Sequence, residues 1–116
     1  MSDKKILGEI RERIAQEYLI KKNYLLVSLN WRYKKAEVDI ISQLKDTLVF
    51  VEVKCRKSDF FSRTEQAINH KKEELYKLAA ENYLEANNLD HEIRFDVISI
   101  IHNNNKTEIE HFISAF

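Results

Sequence analysis

The sequence predicts a single α/β domain over residues 1–116, with a mixed central sheet flanked by helices in the order α-β-β-β-α-β-β. Three observations predict it. Two segments repeat apolar residues at three- and four-residue steps, whereas five shorter ones are β-prone and bounded by turn signals. A two-residue connection joins the second and third β-prone segments, which marks a hairpin. At 116 residues the chain has room for one hydrophobic core and not for two.

The first helix is read over Lys4–Lys22, where Leu7, Ile10, Ile14 and Tyr18 with Ile6, Ala15 and Leu19 form one apolar stripe. Tyr24–Asn30 is too short for a helix and reads as a strand. A polar, aromatic-rich loop, Trp31–Lys35, follows it. Strands over Glu37–Leu44 and Thr47–Cys55 are separated only by Lys45-Asp46. Along the second of these, Val49, Val51 and Val53 fall on one face, and Leu48, Phe50, Glu52 and Lys54 on the other. Ser62-Arg63-Thr64-Glu65 has capping-box spacing and opens a long helix running to about Asn87, with a stripe of Ile68, Leu75, Leu78, Ala79 and Tyr83. Ile93–Ile101 is a strand, Asn103–Asn105 a turn, and Glu108–Ile113 a short last strand.

Composition removes several function classes. The chain has no Pro and one Gly, Gly8, which excludes a Gly-rich phosphate loop. Cys55 is the single cysteine, so no internal disulfide and no zinc site built on two cysteines can form. His70, His91, His102 and His111 lack ligand spacing. No apolar stretch approaches the roughly 20 residues of a membrane helix, and the charged start Met1–Lys5 does not read as a secretory signal. The expected setting is cytoplasmic, without membrane contact. The formal net charge of zero conceals an asymmetry: residues 1–72 hold 16 basic and 10 acidic residues, and residues 73–116 hold 3 and 9. A basic working surface balanced by an acidic remainder is one reading; two unevenly filled solvated faces is the other.

A turn at Lys45-Asp46 pairs residues whose numbers sum to 91, which sets Asp39 opposite Glu52 and Glu37 opposite Lys54. Directly opposed residues share a face with Cβ atoms about 5 Å apart. Two such carboxylates repel unless a cation sits between them. A divalent ion is a natural candidate, because Mg²⁺ prefers hard oxygen ligands, and Lys54 emerges beside it. A merely solvated ribbon face would favour opposite charges across the strands; Asp39–Glu52 breaks that pattern. On the first helix Glu12 borders the stripe between small neighbours, Gly8 and Ala15, with Glu17 as its rival on the other edge.

Five blocks now combine: Glu12-x-x-Ala15-x-x-Tyr18-Leu19; Asn30-x-Arg32; Glu37-Val38-Asp39-Ile40-Ile41; Val49-Phe50-Val51-Glu52-Val53-Lys54-x-Arg56; and Arg94-Phe95-Asp96-Val97-Ile98. Together they resemble the YraN-like family of endonuclease-like proteins, similar to archaeal Holliday-junction resolvases within the PD-(D/E)xK nuclease superfamily. The resemblance covers nearly the whole chain. It implies a restriction-endonuclease-like core and a Mg²⁺- or Mn²⁺-dependent endonuclease hydrolysing DNA phosphodiesters, branched or damaged DNA included. Asp39 and Glu52, with the main-chain carbonyl of Val53, would be the metal ligands; Lys54 would orient or activate water; Glu12 would complete the catalytic set. A homodimer is an assembly this resemblance leaves open. Arg11, Ala36 and Ser62 stand where the family usually has Gly, and the superfamily's Pro is absent before Asp39; these departures bear on loop shape.

Arg32, Lys34 and Lys35, interleaved with Trp31 and Tyr33, read as phosphate contacts, as do Arg56, Lys57 and Lys72. Lys71 and Gln66 could face the same cleft. The plain alternative for all of these is a solvated surface. A non-cleaving nucleic-acid-binding module on the same fold is the rival function, and an adaptor using the acidic C-terminal half a third. Asp96 reads as structural, and Cys55, on the far face of its strand, as a buried apolar residue rather than a reactive one.

Overall fold

Residues 3–56, 70–103 and 106–116 are described by the computed structural model, with side chains for 8–55, 70–101 and 106–116. Helix α1 spans Asp3–Lys21, strands β1, β2 and β3 span Leu25–Tyr33, Ala36–Leu44 and Thr47–Arg56, helix α2 is described over His70–Ala86, and β4 and β5 span Glu92–Asn103 and Lys106–Phe112. The order is the α-β-β-β-α-β-β expected. The capping box, Gln66, Ile68 and Lys57 lie outside the described residues, as do two of the three asparagines of the 103–105 turn.

One mixed sheet carries the strands in spatial order β1-β2-β3-β4-β5. Hairpins make β1/β2, β2/β3 and β4/β5 antiparallel, whereas β3 and β4 run parallel from Thr47↔Glu92 to Arg56↔Ile101. A parallel step needs a crossover, and α2 is part of that connection. The helices cover opposite faces. On one, Ala15 and Leu19 of α1 pack with Tyr24, Ile40, Val49, Val51, Ile98 and Ile100. On the other, Tyr76, Ala79, Ala80 and Tyr83 of α2 pack with Ala36, Val38, Ile41, Leu48 and Phe50. The face assignment along β3 is therefore the one the alternating pattern predicts, and Cys55, partly buried, packs on the α1 side.

Two stripe residues were misplaced. Ile10 and Leu78 are each 51% exposed, and on α2 the buried stripe is Tyr76, Ala79, Ala80 and Tyr83, at steps of three, four and seven. Leu78 is large and apolar but lies off the sheet-facing side of the helix, and Ala80 with Tyr76 fills that face instead. β1 also runs past its expected end at Asn30: Trp31, Arg32 and Tyr33 belong to the strand, paired with Val38, Glu37 and Ala36. The aromatics are drawn in because Trp31 meets the Tyr83 ring edge-on at 5.1 Å, and both Trp31 and Tyr33 pack against the α2-side core. Only Lys34 and Lys35 are left to turn the chain.

With a single Gly, the chain uses other residues at left-handed positions. Asn23 (φ 70°) and Asn88 (φ 51°) terminate the two helices. In each case the next residue's N–H reaches back five residues, Tyr24 to the Leu19 carbonyl and Leu89 to the Leu84 carbonyl, both at 2.9 Å, closing the end as a glycine would. Lys34 (φ 55°) and Lys45 (φ 56°) do the same in the two tight turns.

Asp96 on β4 is fully buried and satisfied on every side. It accepts from Arg94 Nε (2.9 Å) and Nη2 (2.8 Å) and from the Ser114 N–H (3.0 Å), and meets His111 Nε2 at 2.6 Å. Arg94 also donates to the Tyr24 hydroxyl at 2.6 Å. Burial opposes ionisation of Asp96, but the His111, Arg94 and Ser114 contacts outweigh it and hold its carboxyl below the usual range. The structural reading of Asp96 stands: it ties β4, β5 and the chain after α1 together. A depressed folded-state pKa gives stability that is present above the unfolded value of about 3.9 and lost as pH falls through the folded one. Asp96→Ala should therefore cost about 3 kcal/mol or more at pH 7, read as a lower urea midpoint. The variant should also lose part of the wild type's stability decline below about pH 4; an unchanged acid limb would contradict this account.

Candidate active site

The site begins with a fault in the sheet. The β2/β3 ladder keeps the expected sum of 91 from Leu44↔Thr47 to Ile40↔Val51 and stops there. Val38 and Ile40, two residues apart, should share a face, yet Val38 belongs to the α2-side core and Ile40 to the α1-side core. The facing position on β1 is Asn30, whose φ is 53°, between the pairs Leu29↔Ile40 and Trp31↔Val38. A left-handed residue reverses the facing of the strand that follows it, so both strands change face together at Asn30 and Asp39. Asn tolerates that conformation better than other non-Gly residues.

At the fault Asp39 is not a rung opposite Glu52. Its Oδ2 instead accepts the Val53 N–H at 2.8 Å, where a ladder bond would have been. Nor does Glu37 face Lys54: it pairs across β1/β2 with Arg32, at 3.1 Å. The expectation failed at these two pairs because a uniform register was extended through a strand whose facing reverses.

Glu52, only 6% exposed, sits on β3 just past the end of the ladder. Its Oε1 is met by Lys72 Nζ at 2.7 Å and Lys54 Nζ at 3.7 Å, and its Oε2 accepts the Tyr76 hydroxyl. Lys72 and Tyr76 lie one turn apart on α2, so one helix face grips both oxygens. Tyr76 was missed in the sequence. Its signal is the Lys72-x-x-x-Tyr76 spacing, but a Tyr on an amphipathic helix reads first as core, which its ring also is.

The electrostatics follow from crowding. Burial first, then the charges of Glu52 and Glu12, push the Asp39 carboxyl up to about 7 against the opposing Val53 N–H and Lys72. Glu12 is raised by burial and by Glu37 and Glu9. Burial and the neighbouring Lys72 ammonium lower Lys54, although Glu52 pulls the other way. Burial also works against the Lys72 charge, but its bond to Glu52 prevails and raises it. Burial and the two carboxylates raise the Tyr76 hydroxyl well above the usual phenol range. Asp39, Glu52, Lys54, Lys72 and Tyr76 thus form one coupled group, with Glu12 at its edge.

Beside it a cavity of about 340 Å³ is lined by Lys35, Ala36, Glu37, Lys71, Lys72, Leu75 and Tyr76. Lys35 and Lys71 are exposed at this cavity. Arg32 is exposed but ion-paired, and Lys34 lies over the Tyr33 ring at 5.4 Å. Lys72 is inside the coupled group rather than on a free phosphate-facing surface. Arg56 closes β3, described by its backbone alone, and Lys57 lies outside the described residues. Among the described residues no three His, Cys, Asp or Glu side chains converge as a ready-made metal cage. None of the described helices is long and apolar enough to cross a membrane.

The folded chain holds a proton on Asp39 more tightly than the unfolded chain does, at about 3.9. Stability is therefore lost as pH rises from about 4 through about 7. Asp39→Asn, which can still accept the Val53 N–H, should remove that slope and raise unfolding free energy by about 2 kcal/mol at pH 8 without divalent ions. Urea titrations across pH 4–8 decide it; parallel wild-type and variant curves would mean the carboxyl is not crowded.

The geometry can be set beside known proteins. The model of the uncharacterised protein family UPF0102 matches residues 11–100, which include every residue of the coupled group. A UPF0102 protein of Christiangramia forsetii is 41% identical over 116 residues, covering all of this chain and 98% of its own. Relatives from Flavobacterium psychrophilum (40% over 116 residues, all of this chain and 98% of theirs) and Alkaliphilus oremlandii (39% over 115 residues, 97% and 98%) match over the same extent. Strand fault, carboxylates and lysines lie on a chain that matches end to end, and this chain belongs to the UPF0102 family, the YraN-like proteins whose sequence blocks it carries.

Proposed function

We propose that this chain is a metal-dependent, endonuclease-like phosphodiester hydrolase acting on DNA, branched or damaged forms included. The observation that carries the reading is a pair of crowded carboxylates, Asp39 and Glu52, with two lysines beside them at a lysine-lined cavity. Burial first, and then the carboxylate charges of Glu52 and Glu12, push Asp39 toward protonation beyond what the Val53 N–H and Lys72 relieve, and a divalent cation is the chemical remedy. The donors are hard oxygens, which suits Mg²⁺ or Mn²⁺ and not a soft metal.

Asp39 and Glu52 would hold the ion with the Val53 carbonyl. A strand residue's N–H and C=O project to the same side, and the Val53 N–H points at Asp39. When bound, such an ion acidifies water and offsets charge on the phosphate. The remaining work belongs to the chain. Lys54, its ammonium destabilised by burial and by Lys72, orients water at Nζ or takes its proton. Glu12, on α1 at the other face of the sheet, feels the same carboxylate crowding, retains a proton more readily than an ordinary glutamate and would complete the acidic set beside Asp39. Lys35 and Lys71 draw the phosphate backbone to the cavity, and Arg32 and Lys34 extend the basic approach. The reading carries a cytoplasmic setting and leaves assembly as monomer or homodimer to be measured.

A specific observation favours a second reading, a module that grips DNA without cutting it: both Glu52 oxygens are already engaged, by Lys72 and Tyr76. Incubating the protein with linear, nicked and four-way-junction DNA, with Mg²⁺ or Mn²⁺ and with chelator, separates the two. Cleavage should need the metal and fall about 10²-fold or more in Lys54→Ala, and Asp39→Asn and Glu52→Gln should abolish it. Activity that survives all three substitutions would sink the site, and salt-sensitive binding without cleavage would favour the module. In either case Lys35→Ala should weaken DNA binding uniformly across sequences and reduce the slope of log affinity against log salt by about 1.

A further inference from the structure

Glu52 is one of the two carboxylates read above as metal ligands, and a cation already stands on it. Lys72 Nζ is 2.7 Å from Oε1, closer than Lys54 at 3.7 Å. The charge of Lys72 also acts on Asp39, opposing the crowding there, so this one ammonium serves both carboxylates. It arrives from α2, on the wall opposite β2, while Tyr76 of the same helix fixes the other Glu52 oxygen. The Lys72 side chain is one-third exposed and lines the cavity together with Lys35 and Lys71. Its flexible four-carbon stem therefore has open volume to swing into.

We propose that Lys72 is a tethered counter-ion: its ammonium holds the cation position on Glu52 until a divalent ion displaces it, and the released ammonium moves into the cavity to meet a substrate phosphate. The inference rests on the metal reading of Asp39 and Glu52. Its physical basis is that an ammonium and a divalent ion at bonding distance from one carboxylate oxygen repel each other strongly in a partly buried site. The ion must therefore drive Lys72 away in order to bind. Ion uptake and phosphate binding become linked through one side chain, because the lysine is delivered to the phosphate only when the ion is in place.

The test uses Mn²⁺ alone, with the full chain and no nucleic acid, followed by isothermal titration and by electron paramagnetic resonance of free Mn²⁺. Lys72→Met should bind Mn²⁺ about tenfold more tightly than wild type, since the competitor is gone. Lys72→Arg, which keeps the charge, should bind no more tightly than wild type. Lys35→Met removes the same charge from the cavity without touching Glu52 and should stay within about threefold of wild type. Far-UV circular dichroism checks the fold. If the Met variant loses it, Lys72→Gln carries the same expectation with a hydrogen bond to Glu52 retained. Unchanged affinity in the neutral variants, with Glu52→Gln abolishing binding, overturns the counter-ion role and leaves the metal site standing. Absence of Mn²⁺ binding in wild type and neutral variants alike overturns the metal site, and the inference with it.

Discussion

The hydrogen bond from the Val53 N–H to the Asp39 carboxylate is the constraint on which the site depends. It replaces a backbone rung at the point where β2 ceases to pair with β3. Had the ladder continued, Asp39 would have been an ordinary cross-strand neighbour of Glu52 and the backbone of residue 53 would have been consumed by pairing. The interruption instead turns a side chain into the acceptor. Asn30 matches it from the neighbouring strand, where its left-handed backbone accompanies the reversal of facing along β1 and β2. The aromatic residues after it, Trp31 and Tyr33, thereby pack, partly buried, against the core under α2. The fault is thus stabilised by core packing on one side and by a hydrogen bond on the other.

Charge at the site is arranged on the same principle of incomplete compensation. Glu52 is well satisfied, by an ammonium and a phenol from one face of α2. Asp39 is not: burial, together with the charges of Glu52 and Glu12, pushes its carboxyl up to about 7. The contrast with Asp96 is instructive. That residue is equally a carboxylate on a central strand, but Arg94, His111 and a main-chain N–H surround it and depress its pKa. Asp96 is finished by the protein and ties the fold together; half-buried Asp39 has only the Val53 N–H and the charge of Lys72 to set against burial and two neighbouring carboxylates.

The helix that closes the site is positioned by its other face. Tyr76 presents its hydroxyl to Glu52, while its ring lies edge-on to Phe95 and Phe116, and those two rings stack on each other at 5.2 Å. The chain after β5 returns through the Ala115 N–H to the Phe95 carbonyl. The phenol that holds Glu52 is therefore fixed by aromatic packing contributed by residues far apart in sequence, and its geometry belongs to the core as much as to the site.

Much of this was legible in the residues themselves. Alternation along Thr47–Cys55 assigned Glu52 and Lys54 to the face opposite the valines. The two-residue turn at Lys45-Asp46 set the register as far as Ile40↔Val51, because side-chain period and turn length are local properties of the chain. The carboxylate–lysine spacing lies on β2 and β3, the strands whose Asp39, Glu52 and Lys54 the fold brings together. What local rules could not supply was the point at which they cease to hold. The packing of Trp31 against Tyr83 and the grip of Lys72 and Tyr76 on Glu52 depend on a helix that lies far along the chain and docks over the sheet. Sequence alone determined which residues carry the charge and which strands bear them. Tertiary structure decided which charges meet, because the energy that breaks a strand's alternation comes from packing against an element its neighbours in sequence do not contain.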